Sequence, residues 1–327
     1  MTMPAKPRVL VTRAIPAAGI DLLRAAADID VWTEPTAPPR HDFLRRAQGA
    51  SGLLVLPSER IDDELIDAAG PTLRAVATYS VGYEHIDVAA CARRRVAVGF
   101  TPGVLSETTA DTAWALLMAA ARRISEAERY VRAGRWTGGG ISDLIGVDIH
   151  GATLGIVGMG RIGQAVARRA RGFGMTVVYH SRHRLPPEVE AELGVRWLPF
   201  EELLASADFV SVHAPHSAHT HHLIDAAALA LMKPSAILVN TARGGLVDSE
   251  ALLAALERGA IRGAALDVTD PEPLPPDHPL AQRDDCLVVP HIGSATVATR
   301  ERMAVMAAEN LLAGLAGEPM PHPIPGG

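Results

Sequence analysis

Three residues that close three apolar runs could act together on one small anion. Arg243 follows the run Ala236–Asn240 in Asn240-Thr241-Ala242-Arg243-Gly244-Gly245. Glu272 follows Ala264–Val268 and is bracketed by Pro271 and Pro273, which stiffen its loop. His291 follows Leu287–Pro290 in Pro290-His291-Ile292-Gly293-Ser294. If the runs are strands of one open α/β sheet, all three side chains stand at its carboxyl edge, where such sheets bind ligands. A guanidinium there clamps a carboxylate and polarises a neighbouring carbonyl. An imidazole supplies a proton, and a carboxylate orients that imidazole and favours its charged form. Singly, a surface arginine, a loop acid and a core histidine would account for them. Together they suit reduction of an α-keto acid.

A second constellation points to a nucleotide. Gly158-Met159-Gly160-Arg161-Ile162-Gly163 follows an apolar run, Leu154-Gly155-Ile156-Val157, and opens a helical stretch. This is the context in which a G-x-G-x-x-G motif binds a dinucleotide. The first glycine allows the turn, the second lets backbone approach a pyrophosphate, and the third lets helix and strand pack. The helix N-terminus presents free N–H groups to the phosphates. The next apolar run ends in Tyr179-His180-Ser181-Arg182-His183-Arg184. The acid that would bond a ribose 2′-hydroxyl is absent there. A hydroxyl and two guanidiniums suited to a 2′-phosphate replace it. NADP(H) is therefore expected in preference to NAD(H), with NAD(H) still usable; a solvated basic turn is the alternative.

Two alternating series of apolar runs and amphipathic stretches position these residues. The first contains strands near Arg8–Thr12, Gly52–Leu56, Leu73–Thr78 and Val96–Gly99, with helices over Pro16–Ala27, Asp62–Ala69 and Asp87–Arg94. One long helix is expected from Ser106 to Gly134, with an Ala-rich face over Ala110–Ala121. The second series has strands near Leu154–Val157, Thr176–His180, Phe209–His213, Ala236–Asn240, Ala264–Val268 and Leu287–Pro290. Helices lie at Arg161–Gly172 and Ser249–Arg258, and a final helix covers Ala295–Leu315. Such alternation implies parallel βαβ units and an α/β fold.

At 327 residues the chain suits two domains, and a hydrophobic fraction of 48% with 4% aromatics implies a core of Ala, Val, Leu and Ile. A net charge of −6 argues against nucleic-acid binding through a basic surface. Cys91 and Cys286 alone exclude a disulfide framework and a cysteine-rich zinc site. Met1–Leu10 has no apolar h-region, and the apolar run Ala113–Ala121 is far short of a membrane span. A cytoplasmic protein with no membrane partner is expected. His213, His216, His219, His221 and His222 crowd one loop. With no interleaved acid or cysteine before Asp225, no metal site is expected there.

Nearly the whole chain resembles the D-isomer-specific 2-hydroxyacid dehydrogenase family. The match rests on Ser80-Val81-Gly82-Tyr83-Glu84-His85-Ile86-Asp87, the Gly158–Gly163 loop, Asn240–Gly244, Glu272 and His291–Ser294. Leu266–Leu280 and His291–Pro321 are most similar to its glyoxylate/hydroxypyruvate reductase branch. The resemblance implies that Arg243, Glu272 and His291 are the catalytic residues. It implies that Val81 and Gly82 offer backbone N–H groups to the substrate carboxylate, with Arg243 and Ser294 also at the substrate. Cofactor contacts implied are Gly158, Gly160, Arg161, Ile162, Gly163, Pro215, Thr241, Asp267 and Gly293, with Ser181, Arg182 and Arg184 at the ribose. The fold implied is two doubly wound parallel-sheet domains. A flavodoxin-like substrate domain (residues 1–100 plus 291–327) would surround an inserted Rossmann cofactor domain (101–290). A homodimer is expected, formed through the helix after Ser106 and the Gly138–Gly151 loop. Gly139 lies where animal-type reductases of this branch look to carry a second tryptophan, so the detailed substrate preference stays open. Also open are another 2-hydroxyacid dehydrogenase of phosphoglycerate or phenylpyruvate type, and a non-catalytic nucleotide-sensing module of the same fold.

Overall fold

The computed structural model describes residues 6–138 and 140–326. The chain divides into two compact units, residues 6–105 with 295–326, and residues 106–294. The division falls a few residues after each expected boundary, at Ser106 and after Ser294. The reason is local: α5 begins at Ser106 and packs in the second unit, and Ile292 and Gly293 are tied there by Asp267.

The first unit runs β1 (Arg8–Val11), α1 (Ala17–Ala26), β2 (Asp28–Val31), α2 (Arg40–Ala47), β3 (Gly52–Val55), α3 (Asp63–Ala69), β4 (Ala75–Thr78), α4 (Val88–Arg93) and β5 (Ala97–Gly99). Its five parallel strands take the order β2-β1-β3-β4-β5, the flavodoxin-like order. β3 and β4 are buried along their whole length, as strands covered on both faces must be. Asp62 and Asp87 cap α3 and α4, accepting from Leu65 N–H and Ala90 N–H.

The second unit opens with α5 (Ser106–Ala121) and α6 (Ile124–Arg132). The expected single helix is thus broken. Arg123 takes a left-handed conformation (φ 52°) between the two segments, and its guanidinium forks onto Glu126. There follow β6 (Thr153–Val157), α7 (Arg161–Ala170), β7 (Thr176–His180), α8 (Pro187–Leu193), β8 (Val195–Trp197), α9 (Phe200–Ser206), β9 (Phe209–Val212), α10 (Ala226–Leu231), β10 (Ile237–Asn240), α11 (Ser249–Glu257), β11 (Gly263–Leu266), α12 (Pro279–Gln282) and β12 (Cys286–Val288). Seven parallel strands are ordered β12-β11-β10-β9-β6-β7-β8. The direction of winding reverses between β6 and β9, which opens a crevice at their carboxyl ends. Two apolar layers cover the sheet, one around Leu203, Leu229 and Leu252, the other around Trp114, Ile156 and Phe209.

The last helix, α13 (Val297–Ala316), returns to the first unit and packs on α1, β3, β4 and β5. Asn310, fully buried on it, donates to Phe100 O and accepts from His322 N–H, each at 2.8 Å. Among the described residues no helix is long and apolar enough to cross a membrane.

Candidate active site

The second unit gathers the candidate residues at the carboxyl edge of its sheet. The glycine motif makes the turn between β6 and α7. Gly158 has φ 98°, and a Cβ there would sit 2.5 Å from Ala214 N, so the turn packs on the chain leaving β9. A Cβ on Gly163 would overlap the Gly158 carbonyl oxygen, whereas Gly160 faces open space. The motif is therefore tight where helix meets strand and open where a pyrophosphate would approach. Arg161 and Ile162 form the first turn of α7, and Pro215 lies just beyond Ala214 in the segment facing Gly158. At the neighbouring ends of β9 and β10, the buried atoms His213 Nδ1 and Thr241 Oγ1 have no hydrogen-bond partner among the described residues. The other ring nitrogen of His213 lies 2.8 Å from Ser211 Oγ, and burial pushes the pKa of this imidazole down to about 4. Open space at Gly160 and two orphaned polar atoms beside the crevice fit a bound dinucleotide.

At the end of β7 the two arginines differ. Arg182 is exposed and makes no hydrogen bond or ion pair with the described residues. Arg184 is not equally free: its Nε and Nη2 donate to Glu190 Oε1 and Oε2 at 2.8 and 2.7 Å. Tyr179 Oη, itself buried, donates to the same carboxylate at 2.7 Å. The hydrogen bonds from Arg184 and Tyr179 hold Glu190 down at about 2. One edge of the Arg184 guanidinium is thus spent on the turn itself, leaving Nη1. Glu190 lies on α8, and no local sequence pattern distinguishes it from any other helix acid. Ser181 Oγ donates to His183 O at 2.6 Å.

Asn240 shapes the turn that carries Arg243. Its Oδ1 accepts from Ala242 N–H at 3.0 Å and its Nδ2 donates to Arg243 O at 2.9 Å. A Cβ on Gly244 would overlap the Thr269 carbonyl, so only glycine lets this turn seat against the loop carrying Glu272. Glu272 Oε1 lies 2.6 Å from His291 Nδ1. A carboxylate only accepts, so Nδ1 carries the proton and Nε2 is the nitrogen left to exchange one with a substrate. Burial pushes Glu272 up, but the hydrogen bond and charge of His291, the Thr269 N–H and the charge of Arg243 hold it below the usual carboxylate range. His291 itself has φ 53°, unusual for a residue with a side chain. Asp267 fixes it there. Its two oxygens accept from Ile292 N–H and Gly293 N–H at 2.6 and 2.8 Å, and burial raises its carboxyl against those two bonds. Asp267, Thr269, Glu272 and His291 line a cavity of about 630 Å³. A smaller one of about 210 Å³ lies near Ile237, Gly263 and Asp285, at the other end of the sheet.

Ser294 closes the second unit, three residues beyond His291. Val81 and Gly82 belong to the first unit, in the loop after β4. Gly139 lies outside the described residues. In the histidine loop, His216 Nε2 and His221 Nδ1 are 3.3 Å apart, and His221 stacks on His222. Among the described residues no group of three or more His, Cys, Asp or Glu side chains is placed to hold a metal.

A parallel-sheet dinucleotide crevice beside a paired histidine and glutamate defines a class: a nicotinamide-dependent oxidoreductase. Residues 114–293 match the family model of the D-isomer specific 2-hydroxyacid dehydrogenase, NAD binding domain. The chain is 49% identical over 318 residues to a glyoxylate reductase of Korarchaeum cryptofilum, spanning 97% of this chain and 95% of that one. A solved protein of Thermus thermophilus superposes with a TM-score of 0.92 at 50% identity, covering 97% of this chain and 99% of that one. An NADPH-dependent glyoxylate/hydroxypyruvate reductase of Sinorhizobium meliloti, solved with NADP and malonate, gives 0.85 at 33% identity and 98% coverage of both chains. The chain belongs to the D-isomer-specific 2-hydroxyacid dehydrogenase family.

Proposed function

We propose that this protein reduces glyoxylate and hydroxypyruvate to the corresponding 2-hydroxy acids in the cytoplasm, preferring NADPH to NADH. The 2.6 Å contact between Glu272 and His291 carries the reading, because it engages Nδ1 with the carboxylate and leaves Nε2 as the nitrogen for a nascent alkoxide. Relatives named glyoxylate reductase support the substrate class.

The reduced nicotinamide supplies a hydride when bound. Gly158, Gly160, Arg161, Ile162 and Gly163 would hold its pyrophosphate, with Pro215, Thr241, Asp267 and Gly293 toward the ring. Ser181 and Arg182 would take the 2′-phosphate, with Arg184 contributing through Nη1. Arg243 binds the substrate carboxylate and polarises the carbonyl. In the first unit the Val81 and Gly82 N–H groups, and in the second Ser294, are further donors of the kind a carboxylate takes. His291 Nε2 donates the proton, and Glu272 keeps the imidazole oriented. The active species is a homodimer with no nucleic-acid partner.

A panel of 2-keto acids assayed in parallel with NADPH and NADH tests the reading. Glyoxylate and hydroxypyruvate with NADPH should give the highest kcat/KM. Preference for a bulky keto acid, or for NADH, would overturn the corresponding part.

A further inference from the structure

The loop holding Val81 and Gly82 is pinned at two peptide planes. Ser80 O accepts from Thr101 N–H at 2.9 Å. Because a trans peptide sets N–H opposite to C=O, this bond also fixes the direction of Val81 N–H. Gly82 O accepts from Ser80 Oγ at 2.5 Å. The peptide between them, which carries Gly82 N–H, is held from both sides.

Behind Ser80 stand two more polar groups. Thr78 Oγ1 lies 2.7 Å from Ser80 Oγ and 3.0 Å from His85 Nε2. Proton counting gives the chain one direction. Each hydroxyl has a single proton, and a carbonyl can only accept. Ser80 gives its proton to Gly82 O, so Thr78 must donate to Ser80. Thr78 must then accept from His85, which requires a proton on Nε2. The relay runs His85 to Thr78 to Ser80 to Gly82. Thr78 and Ser80 are buried, where such chains strengthen each bond in turn. The outer end is anchored as well: Ile61 N–H donates to His85 O at 2.8 Å, and Asp87 N–H donates to Ile61 O at 2.7 Å.

We propose that His85, Thr78 and Ser80 are positioning residues for the substrate carboxylate, their directed relay holding Val81 and Gly82 N–H groups in the binding orientation. This rests on the reading of those two amides as carboxylate donors. Within Ser80–Asp87 the relay gives the serine and the histidine a shared task that neither composition nor spacing discloses.

The test compares Thr78→Val with Thr78→Ser, and His85→Leu with His85→Gln, the second of each pair retaining a donor. Steady-state kinetics, amide hydrogen exchange of residues 80–83 and thermal melting are measured on the full chain. Thr78→Val and His85→Leu should raise the glyoxylate KM about 2- to 10-fold. They should speed exchange at Val81 and Gly82 and leave the NADPH KM unchanged. Thr78→Ser and His85→Gln should stay near the parent. Unchanged exchange in both disruptive variants overturns the relay. Faster exchange with an unchanged glyoxylate KM keeps the loop ordering but overturns the carboxylate reading, and the proposal with it. An equal rise in both KM values marks a merely structural role and also overturns it. If Thr78→Val fails to fold, the His85 pair, at the partly exposed end, decides.

Discussion

His291 owes its aim to two carboxylates with different tasks. Asp267 holds the backbone that follows it, and Glu272 holds the ring. The ring partner has a consequence for pH. The hydrogen bond and charge of His291 hold the Glu272 carboxyl below the usual carboxylate range. The pairing therefore persists as pH falls through that range and is lost only as pH falls through the depressed value. Glu272→Gln puts a neutral amide in place of the acceptor that orients Nδ1, so kcat for keto-acid reduction should fall about 10- to 100-fold while NADPH affinity stays near the parent. A variant with the parent kcat would show that Glu272 does not orient His291. The arginines of the β7 turn give a second residue-scale contrast. Arg182 is uncommitted while Arg184 braces Glu190. Losing a hydrogen bond to a charged group costs about 1.5–3 kcal/mol, so Arg182→Ala should weaken NADPH binding about 10- to 100-fold and spare NADH. Arg184→Ala removes a brace as well as Nη1, so NADH binding should suffer too. Titrating each variant with both cofactors checks this, and equal losses for Arg182→Ala would remove it from 2′-phosphate recognition.

At the scale of elements, the turn between β6 and α7 separates packing from binding. Gly163→Ala forces a methyl onto the Gly158 carbonyl and should cost about 1–3 kcal/mol of stability. Gly160→Ala meets nothing within 4 Å and has an ordinary negative φ of −75°, so the fold should keep its melting temperature. Its methyl would instead enter the space proposed for the pyrophosphate, so cofactor affinity should fall. Melting curves with and without NADPH distinguish the two, and a Gly160→Ala protein that binds NADPH normally would remove the pyrophosphate from that position. This turn was legible in the sequence because its whole logic is local: a strand, three glycines and a helix within a dozen residues. The strand ends bearing Arg243, Glu272 and His291 were legible too, because buried parallel strands read as continuous apolar runs. β2 was not legible, since Asp28-Ile29-Asp30-Val31 lies at a sheet edge and none of its residues is buried. The break between α5 and α6 carries no glycine or proline and depends on Arg123 entering the left-handed region. The Glu190 brace and the His85 relay escaped notice for another reason. Each joins side chains whose partnership exists only once the turn between them has formed.

On the scale of the whole molecule, α6 is where the proposed homodimer meets its clearest test. None of its residues is buried, although it carries Ile124 and Val131. The segment after it adds Trp136, Ile141 and Ile145, all exposed, with Ile141 fully so. A nine-residue helix with no buried face gains too little from propensity alone to persist in water, and a run of exposed apolar side chains of this kind marks an interface. The alanine face of α5, by contrast, is used inside the second unit against α7 and β10. We therefore propose α6, with Trp136, Ile141 and Ile145, as the face of association. In the proposed homodimer a second copy of the chain would cover this face, because a twofold axis lets one apolar patch cover its equal. A stable interface of this type needs about 800 Å² from each partner, so Trp136, Ile141 and Ile145 would contribute to it beside α6. Val131→Asp and Ile141→Asp each place a charge in that patch. Sedimentation velocity at micromolar concentration should show the parent as a dimer and the double variant as a 34.5 kDa monomer. A parent chain that already sediments at 34.5 kDa would mean that α6 and the segment after it are stabilised without a second copy.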